Sequence, residues 1–130
     1  MALPTELLAD LQKLRGLGYD TEQPPVEAGN EALVVFPQFP VPQGKYNMSA
    51  VRLLVRVPLA YPNAGLDMFY TQPDFRLASG APPQQSEVLE TLAGAVWRRF
   101  SWHRNTAWMP GRDSIVNFVS FIEDNLARGK

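Results

Sequence analysis

Ser101 and His103, two positions apart, carry the strongest chemical signal in this sequence. A serine hydroxyl becomes a nucleophile when a base takes its proton, and histidine is the side chain that titrates nearest neutral pH. His103 is the single histidine of a chain that has no cysteine. The pair therefore predicts either nucleophilic catalysis by Ser101 or a loop hydroxyl beside a structural histidine.

The spacing alone does not decide between these two interpretations. Residues i and i+2 share a face in a strand, where their side chains can meet, but they point apart in a helix. The sequence contains no G-x-S-x-G motif, the elbow that presents the serine of many hydrolases. It also places no acidic partner for His103, so a small-molecule hydrolase is the least favoured of the enzyme functions.

The serine lies in an aromatic and basic stretch, residues 97–113, with the sequence WRRFSWHRNTAWMPGRD. Its arginines can hold an acidic partner tail or a phosphate through forked hydrogen bonds, or they can form a solvated basic face. Its tryptophans either pack in the core or form an exposed patch for a partner. The residues concerned are Arg98, Arg99, Arg104, Arg112, Trp97, Trp102 and Trp108.

Composition limits the classes of protein to which the chain can belong. The 130 residues, 45% hydrophobic and 19% charged, predict a single globular domain over residues 1–130. A formal net charge of −1 gives no electrostatic reason to expect nucleic acid or an anionic membrane as a partner. The absence of cysteine excludes disulfides and cysteine-bound zinc, and one histidine disfavours a zinc hydrolase, so we expect no metal and no cofactor.

The sequence also predicts a cytoplasmic protein. No apolar run approaches the roughly 20 residues that span a bilayer. The start, MALPTELLAD, has early acidic residues and lacks the basic region of a secretory signal.

Hydrophobic periodicity predicts the elements that position the Ser101 stretch. Residues 48–57 alternate apolar and mixed side chains, the clearest strand pattern, and Pro37 predicts a bulge or an edge in the strand before it. In chain order, the pattern predicts a helix over 4–15, strands over 32–39, 48–57 and 67–71, a loop over 72–83, a short helix beginning at Ser86 within 86–100, and a final helix to about residue 127 with Asp113 as its N-cap. This order predicts an α+β fold in which helices pack on an antiparallel meander.

Three blocks in this order resemble bacterial family E of the ubiquitin-conjugating-enzyme (E2) superfamily. They read VRLLVRVPLAYPNAGLDMFYTQP, VWRRFSWH and AWMPGRDSIVNFVSFI, within a similarity that covers about residues 25–127. The resemblance implies the ubiquitin-conjugating (UBC) fold, with an N-terminal helix, an antiparallel β-meander, a long active-site segment and a C-terminal helix.

The resemblance to ordinary E2 enzymes is close at the flanks of the active-site segment and fails in its middle. The usual His-Pro-Asn tripeptide and active cysteine are missing, and the loop residues between 77 and 100 are rewritten. Counting back from the Trp-x-Pro block, the usual cysteine lies near the place of Ser101. The flank residues that match the superfamily motifs are Tyr61, Pro62, Trp108, Pro110 and Asp113.

The resemblance implies a conjugating enzyme of a bacterial ubiquitin-like protein pathway. Ser101 would accept the C-terminal acyl group of a ubiquitin-like protein from an E1 as an oxyester and pass it to an amine. His103 would act as the base, and Asn105, an arginine or backbone N–H groups would stabilise the oxyanion. The residues expected to bind partners are Arg98, Arg99, Arg104 and Trp102.

Two other interpretations of the resemblance stay open. The missing cysteine and tripeptide equally fit a catalytically inactive E2-like adaptor that binds a ubiquitin-like protein or an E1. Alternatively, Ser101 or another position was a cysteine that was changed by mutation. The partners implied are an E1-like activating enzyme and a ubiquitin-like protein, and the resemblance adds a deconjugating metalloprotease and a role in antiphage defence.

Overall fold

The computed structural model describes residues 3–101 and 107–129, which form two helices and one six-stranded antiparallel sheet. In chain order the elements are α1 (Thr5–Gly16), β1 (Val26–Ala28), β2 (Glu31–Pro40), β3 (Ala50–Pro58), β4 (Phe69–Thr71), β5 (Leu89–Leu92), β6 (Ala95–Phe100) and α2 (Ile115–Arg128). The strands are ordered β1-β2-β3-β4-β6-β5 in the sheet. The predicted α+β fold is therefore confirmed. Neither described helix is long and apolar enough to cross a membrane.

One face of the sheet packs against both helices and forms the main core. Leu7, Leu11 and Leu14 recur on one side of α1 at the helical period and are buried there. The sheet adds aromatic pairs such as Phe69 on Phe100, stacked with 4.7 Å between ring centroids. Complete burial of each such side chain stabilises the fold by about 1.5–3 kcal/mol. The buried apolar residues of α2 are Ile115, Phe118, Val119, Ile122 and Leu126.

The opposite face of the sheet, which we call the outer face, carries a smaller apolar cluster beneath charged side chains. Trp97 lies in this cluster with Tyr70 and Leu54, and all three are buried. The Arg52 guanidinium lies over the Trp97 ring, 5.1 Å from its centroid, and gains a cation–π contact. Of the two interpretations of the tryptophans, Trp97 therefore follows the core interpretation.

The prediction of a short helix within residues 86–100 is wrong, because β5 and β6 form a hairpin there. Ala93 and Gly94 make its turn with φ values of 50° and 81°. A two-residue turn with positive φ at both positions matches the twist of a β-hairpin. Ser86 caps no helix, and its buried hydroxyl donates to the carbonyl oxygen of Pro83. The hairpin leads straight into Ser101.

The remaining predicted elements are present with small differences at their ends. The register between β2 and β3 shifts between Phe36 and Phe39, which confirms the bulge predicted at Pro37. The N-cap of α2 is Ser114 rather than Asp113, because the Ser114 hydroxyl accepts the N–H of Val116 at 3.1 Å. The three-residue strand β1 was not predicted, since it is too short to show an alternation.

Candidate active site around Ser101

Ser101 follows β6 directly, and the position of that strand within the sheet fixes where the serine lies. β6 is hydrogen-bonded to β4 on one side and to β5 on the other. The Ser101 backbone N–H donates to the carbonyl oxygen of Gln85 at 2.8 Å, so the serine's own backbone is held as well. Ser101 is half-buried at the end of an internal strand, a rigid support for a reacting group.

The Arg99 guanidinium is a charged group in direct contact with Ser101. Its Nε–H donates to Ser101 Oγ at 3.2 Å, and its Nη1 lies 3.5 Å from Oε1 of Glu90 on β5. A positive charge beside a hydroxyl favours the negatively charged oxygen over the neutral one. The contact can therefore favour the nucleophilic form of Oγ and offer a donor to an oxyanion that forms next to it.

A cavity of about 320 Å³ lies beside this pair. That volume is at the lower end of the range for small-molecule pockets, enough for the end of an extended chain or one long side chain. The cavity is lined by the Ser101 hydroxyl, the Arg99 guanidinium and the Glu87 carboxylate, together with Gln85 and Val88.

Several residues that the sequence assigns to the site lie outside the described residues. They are Trp102, His103, Arg104 and Asn105. The base and the side-chain oxyanion donor therefore stay predictions, as do two of the partner-binding residues. Of the predicted catalytic residues, the structure describes Ser101.

Arg98, expected from the sequence to bind partners, points away from solvent. It is only 5% exposed. Its Nε and Nη2 donate to the carbonyl oxygen of Pro73 at 3.1 and 2.9 Å, and its Nη1 donates to that of Ser86 at 2.7 Å. Burial, and then the like charge of Arg76, lower the pKa of Arg98. We therefore leave Arg98 out of any proposed partner surface, since it joins the 72–86 segment to the sheet.

Tyr61 and Pro62 join three separate parts of the molecule. The Tyr61 hydroxyl donates to Asp10 Oδ2 at 2.6 Å in α1 and accepts the backbone N–H of Ile115 at 2.9 Å in α2. The carbonyl oxygen of Pro62 accepts the indole N–H of Trp108 at 2.8 Å. The two flanks of the segment that contains Ser101 are therefore bonded to each other as well as to both helices.

Asp113 fixes the turn that leads into α2. Its Oδ2 accepts the backbone N–H of Met109 at 2.8 Å, and its Oδ1 accepts the side-chain amide of Asn117 at 3.0 Å. The carboxylate thus bridges a turn that contains Pro110 and the first turn of the helix. This arrangement gives Asp113 an orienting role in the structure.

A comparison with known families decides what this scaffold is. The sequence profile of prokaryotic E2 family E matches residues 7–129 of the chain. The protein is a member of prokaryotic E2 family E. No curated protein and no solved structure matches it. Membership of an E2 family implies an E1 and a ubiquitin-like protein as interaction partners.

Three residues near the serine of this E2-like protein were not predicted as part of a site. Glu87 and Glu90 lie in the segment that was predicted to begin as a short helix, and Gln85 directly precedes it. The β5–β6 register brings that segment alongside Arg99 and Ser101. The available signal was the Ala93-Gly94 pair between two β-forming runs, which is compatible with a tight hairpin turn.

Gly65 allows Trp108 to pack tightly in this E2-like scaffold. A Cβ added at Gly65 would lie 2.6 Å from Trp108 Cγ. We expect Gly65→Ala to lower the free energy of unfolding by about 1–3 kcal/mol through overpacking. Gly16→Ala is the matched control, because a Cβ at Gly16 meets nothing within 4 Å. Urea denaturation of both variants checks this, and equal changes would contradict the packing argument.

The buried phenol of Tyr61 makes the stability of the fold sensitive to alkaline pH. Burial raises the pKa of Tyr61 most, and the hydrogen bond to Asp10 raises it further. An unfolded tyrosine ionises near pH 10, whereas the folded phenol stays neutral above that value. The stabilisation is therefore complete below about pH 10 and declines by about 1.4 kcal/mol per pH unit above it.

Urea denaturation between pH 9 and 11 measures this decline. We expect the decline to be shallower in Tyr61→Phe, which has no phenol to ionise there. Some decline remains in the variant because burial also raises the pKa of Tyr19, to about 12. Identical slopes in the wild type and Tyr61→Phe would show that Tyr61 is not the source.

Proposed function

We propose that this protein is an E2-like conjugating enzyme that carries the C-terminal acyl group of a ubiquitin-like protein on Ser101 as an oxyester. Family membership supports the E2-like role. The observation that carries the serine assignment is the hydrogen bond from Arg99 Nε to Ser101 Oγ, 3.2 Å long, beside an open cavity. The chain has no cysteine that could form the usual thioester instead.

The proposed reaction has two transfers through the same oxygen. In the first, Ser101 Oγ attacks the acyl carbonyl carbon that an E1 presents, and the bond from that carbon to the E1 breaks. The serine proton goes to a base, and the leaving group of the E1 departs with the bonding electrons. In the second, an amine attacks the ester carbonyl, the C–Oγ bond breaks, and the serine oxygen regains a proton as the amine loses one.

Side chains near Ser101 have separate roles in this proposal. Arg99 stabilises negative charge on Oγ and on the carbonyl oxygen of the tetrahedral intermediate. His103 is proposed as the base and Asn105 as a further oxyanion donor. Arg104 and Trp102 are proposed to contact the partner proteins. An ester is less reactive toward amines than a thioester, so the oxyanion donors matter more here than beside a cysteine.

We propose the same cellular setting that the resemblance implies. The pathway operates in the cytoplasm, where ATP drives the E1, and a deconjugating metalloprotease reverses the modification. The catalytic unit is a single domain over residues 1–130.

An inactive adaptor is the second candidate function. The absence of cysteine from the whole sequence favours it, because most E2 chemistry depends on that residue. As an adaptor, the protein would bind the E1 or the ubiquitin-like protein through the same fold without an acyl intermediate.

Intact-protein mass spectrometry separates the two functions. The protein is mixed with an E1, a ubiquitin-like protein and ATP, with an ATP-free sample as control. A conjugating enzyme gains the mass of the ubiquitin-like protein minus one water, and the adduct resists thiol reductant but is cleaved by hydroxylamine. Binding without any such adduct would replace the enzyme proposal with the adaptor.

A further inference from the structure

The outer face of the sheet places a carboxylate directly behind the arginine that contacts Ser101. Glu90 lies opposite Trp97 in the β5–β6 register, and Arg99 lies opposite Tyr70 in the β4–β6 register. Trp97 and Arg99 are two residues apart on one strand and therefore share a face. Glu90 Oε1 reaches Arg99 Nη1 at 3.5 Å, while Arg99 Nε reaches Ser101 Oγ.

We propose that Glu90 is a positioning residue, whose carboxylate holds the Arg99 guanidinium with its Nε–H directed at Ser101 Oγ. This role rests on the proposed serine oxyester function. Arginine has a long and flexible side chain, so a single hydrogen bond to a hydroxyl does not fix the orientation of its guanidinium group. A second contact from the opposite end of the guanidinium reduces the number of orientations it can adopt.

Glu90 lies among phenolic and charged side chains on the outer face. Burial raises the pKa of Tyr70 most, and the nearby Glu90 carboxylate raises it further, while Arg56 lowers it. Arg56 Nη1 donates to the Tyr70 hydroxyl at 3.2 Å, and Arg56 Nη2 lies 2.7 Å from Glu31 Oε1. Two charged pairs, Glu31 with Arg56 and Glu90 with Arg99, thus flank Tyr70 across the outer face.

The burial of Glu90 argues for a role beyond solubility. Its side chain is 29% exposed, yet its Oε2 is buried and has no hydrogen-bond partner among the described residues. A buried oxygen without a partner is unfavourable, and such local costs tend to occur at functional sites. Holding Arg99 through Oε1 gives a reason for a carboxylate at this point of the sheet.

Two measurements on the full chain test the proposal. The first is the exchange of the Arg99 Nε–H proton with water, followed by ¹⁵N NMR in the wild type and in Glu90→Gln. The second is the single-turnover rate of adduct formation at increasing concentrations of charged E1. We expect exchange to accelerate and the maximal rate to fall, each by about fivefold, with the half-saturating E1 concentration unchanged.

Glu22→Gln is the matched control, because Glu22 pairs with Arg52, 3.1 Å away, without touching Arg99. It should leave both the exchange and the maximal rate at wild-type values. Unchanged Arg99 exchange in Glu90→Gln, or an equal loss of rate in Glu22→Gln, would overturn the positioning role. If the wild type forms no ester while Arg99 exchange still accelerates in Glu90→Gln, the positioning contact stands and the serine oxyester function fails.

Discussion

Replacing Ser101 with alanine is expected to abolish the hydroxylamine-sensitive adduct completely. The change removes Oγ, the atom that would form the ester, and no cysteine elsewhere in the chain can replace it. It also removes one hydrogen bond from Arg99, so the free energy of unfolding should change by only about 1 kcal/mol. Intact-protein mass spectrometry and urea denaturation of the same preparation check both parts.

Ser101→Cys is the chemical control for this result. A thiol at the same position would form a thioester, and the adduct should then be cleaved by thiol reductant, which leaves the wild-type adduct intact. This shift in chemistry identifies the position as the acyl carrier even if the yields differ. An adduct that survives in Ser101→Ala, or stays reductant-resistant in Ser101→Cys, contradicts the assignment.

Arg98→Ala is expected to lower the free energy of unfolding by about 3 kcal/mol or more. The substitution removes three hydrogen bonds to the carbonyl oxygens of Pro73 and Ser86, and it leaves those acceptors without their donor. It also opens a cavity, because Arg98 is buried. Urea denaturation with a measured m-value gives the change directly.

Arg99→Ala, one residue further along β6, is the matched comparison. Arg99 is 29% exposed and pairs with Glu90 near the surface, so its loss should cost only about 1 kcal/mol of stability. Its loss should nevertheless slow adduct formation strongly, since its Nε–H contacts Ser101 Oγ. Equal destabilisation by the two substitutions would show that burial does not distinguish the neighbouring arginines.

The sequence predicted the fold where periodicity was long and unambiguous. The predicted stripe of Leu7, Leu8, Leu11 and Leu14 located α1, and all of it except the exposed Leu8 is buried. The alternation predicted within residues 48–57 likewise located β3 and its buried face. The hairpin of β5 and β6 was missed because a serine followed by a glutamate resembles a helix start. Residues 95–100 form a strand because they pair with β4, which is distant in the sequence. A local sequence pattern cannot predict such a long-range pairing.

The sequence pointed to Ser101 through its spacing from His103 and through a motif count from Trp108, and its catalytic role stays a prediction. The arrangement of the side chains around it was not predictable in full. Arg98 and Arg99 look equivalent in the sequence, but adjacent residues of a strand face opposite sides of the sheet. Only the structure shows that Arg98 faces the loop carbonyls while Arg99 faces the serine.

The measurement that tests the central claim most directly is the site of the acyl adduct. Trypsin cleaves after Arg99 and Arg104, and the released peptide, residues 100–104, carries Ser101 as its only hydroxyl. Tandem mass spectrometry of the adduct, digested briefly near neutral pH without strong nucleophiles and then acidified to preserve the ester, should find the C-terminal remnant of the ubiquitin-like protein on Ser101. A remnant on a lysine, or on any residue other than Ser101, would contradict the serine oxyester mechanism.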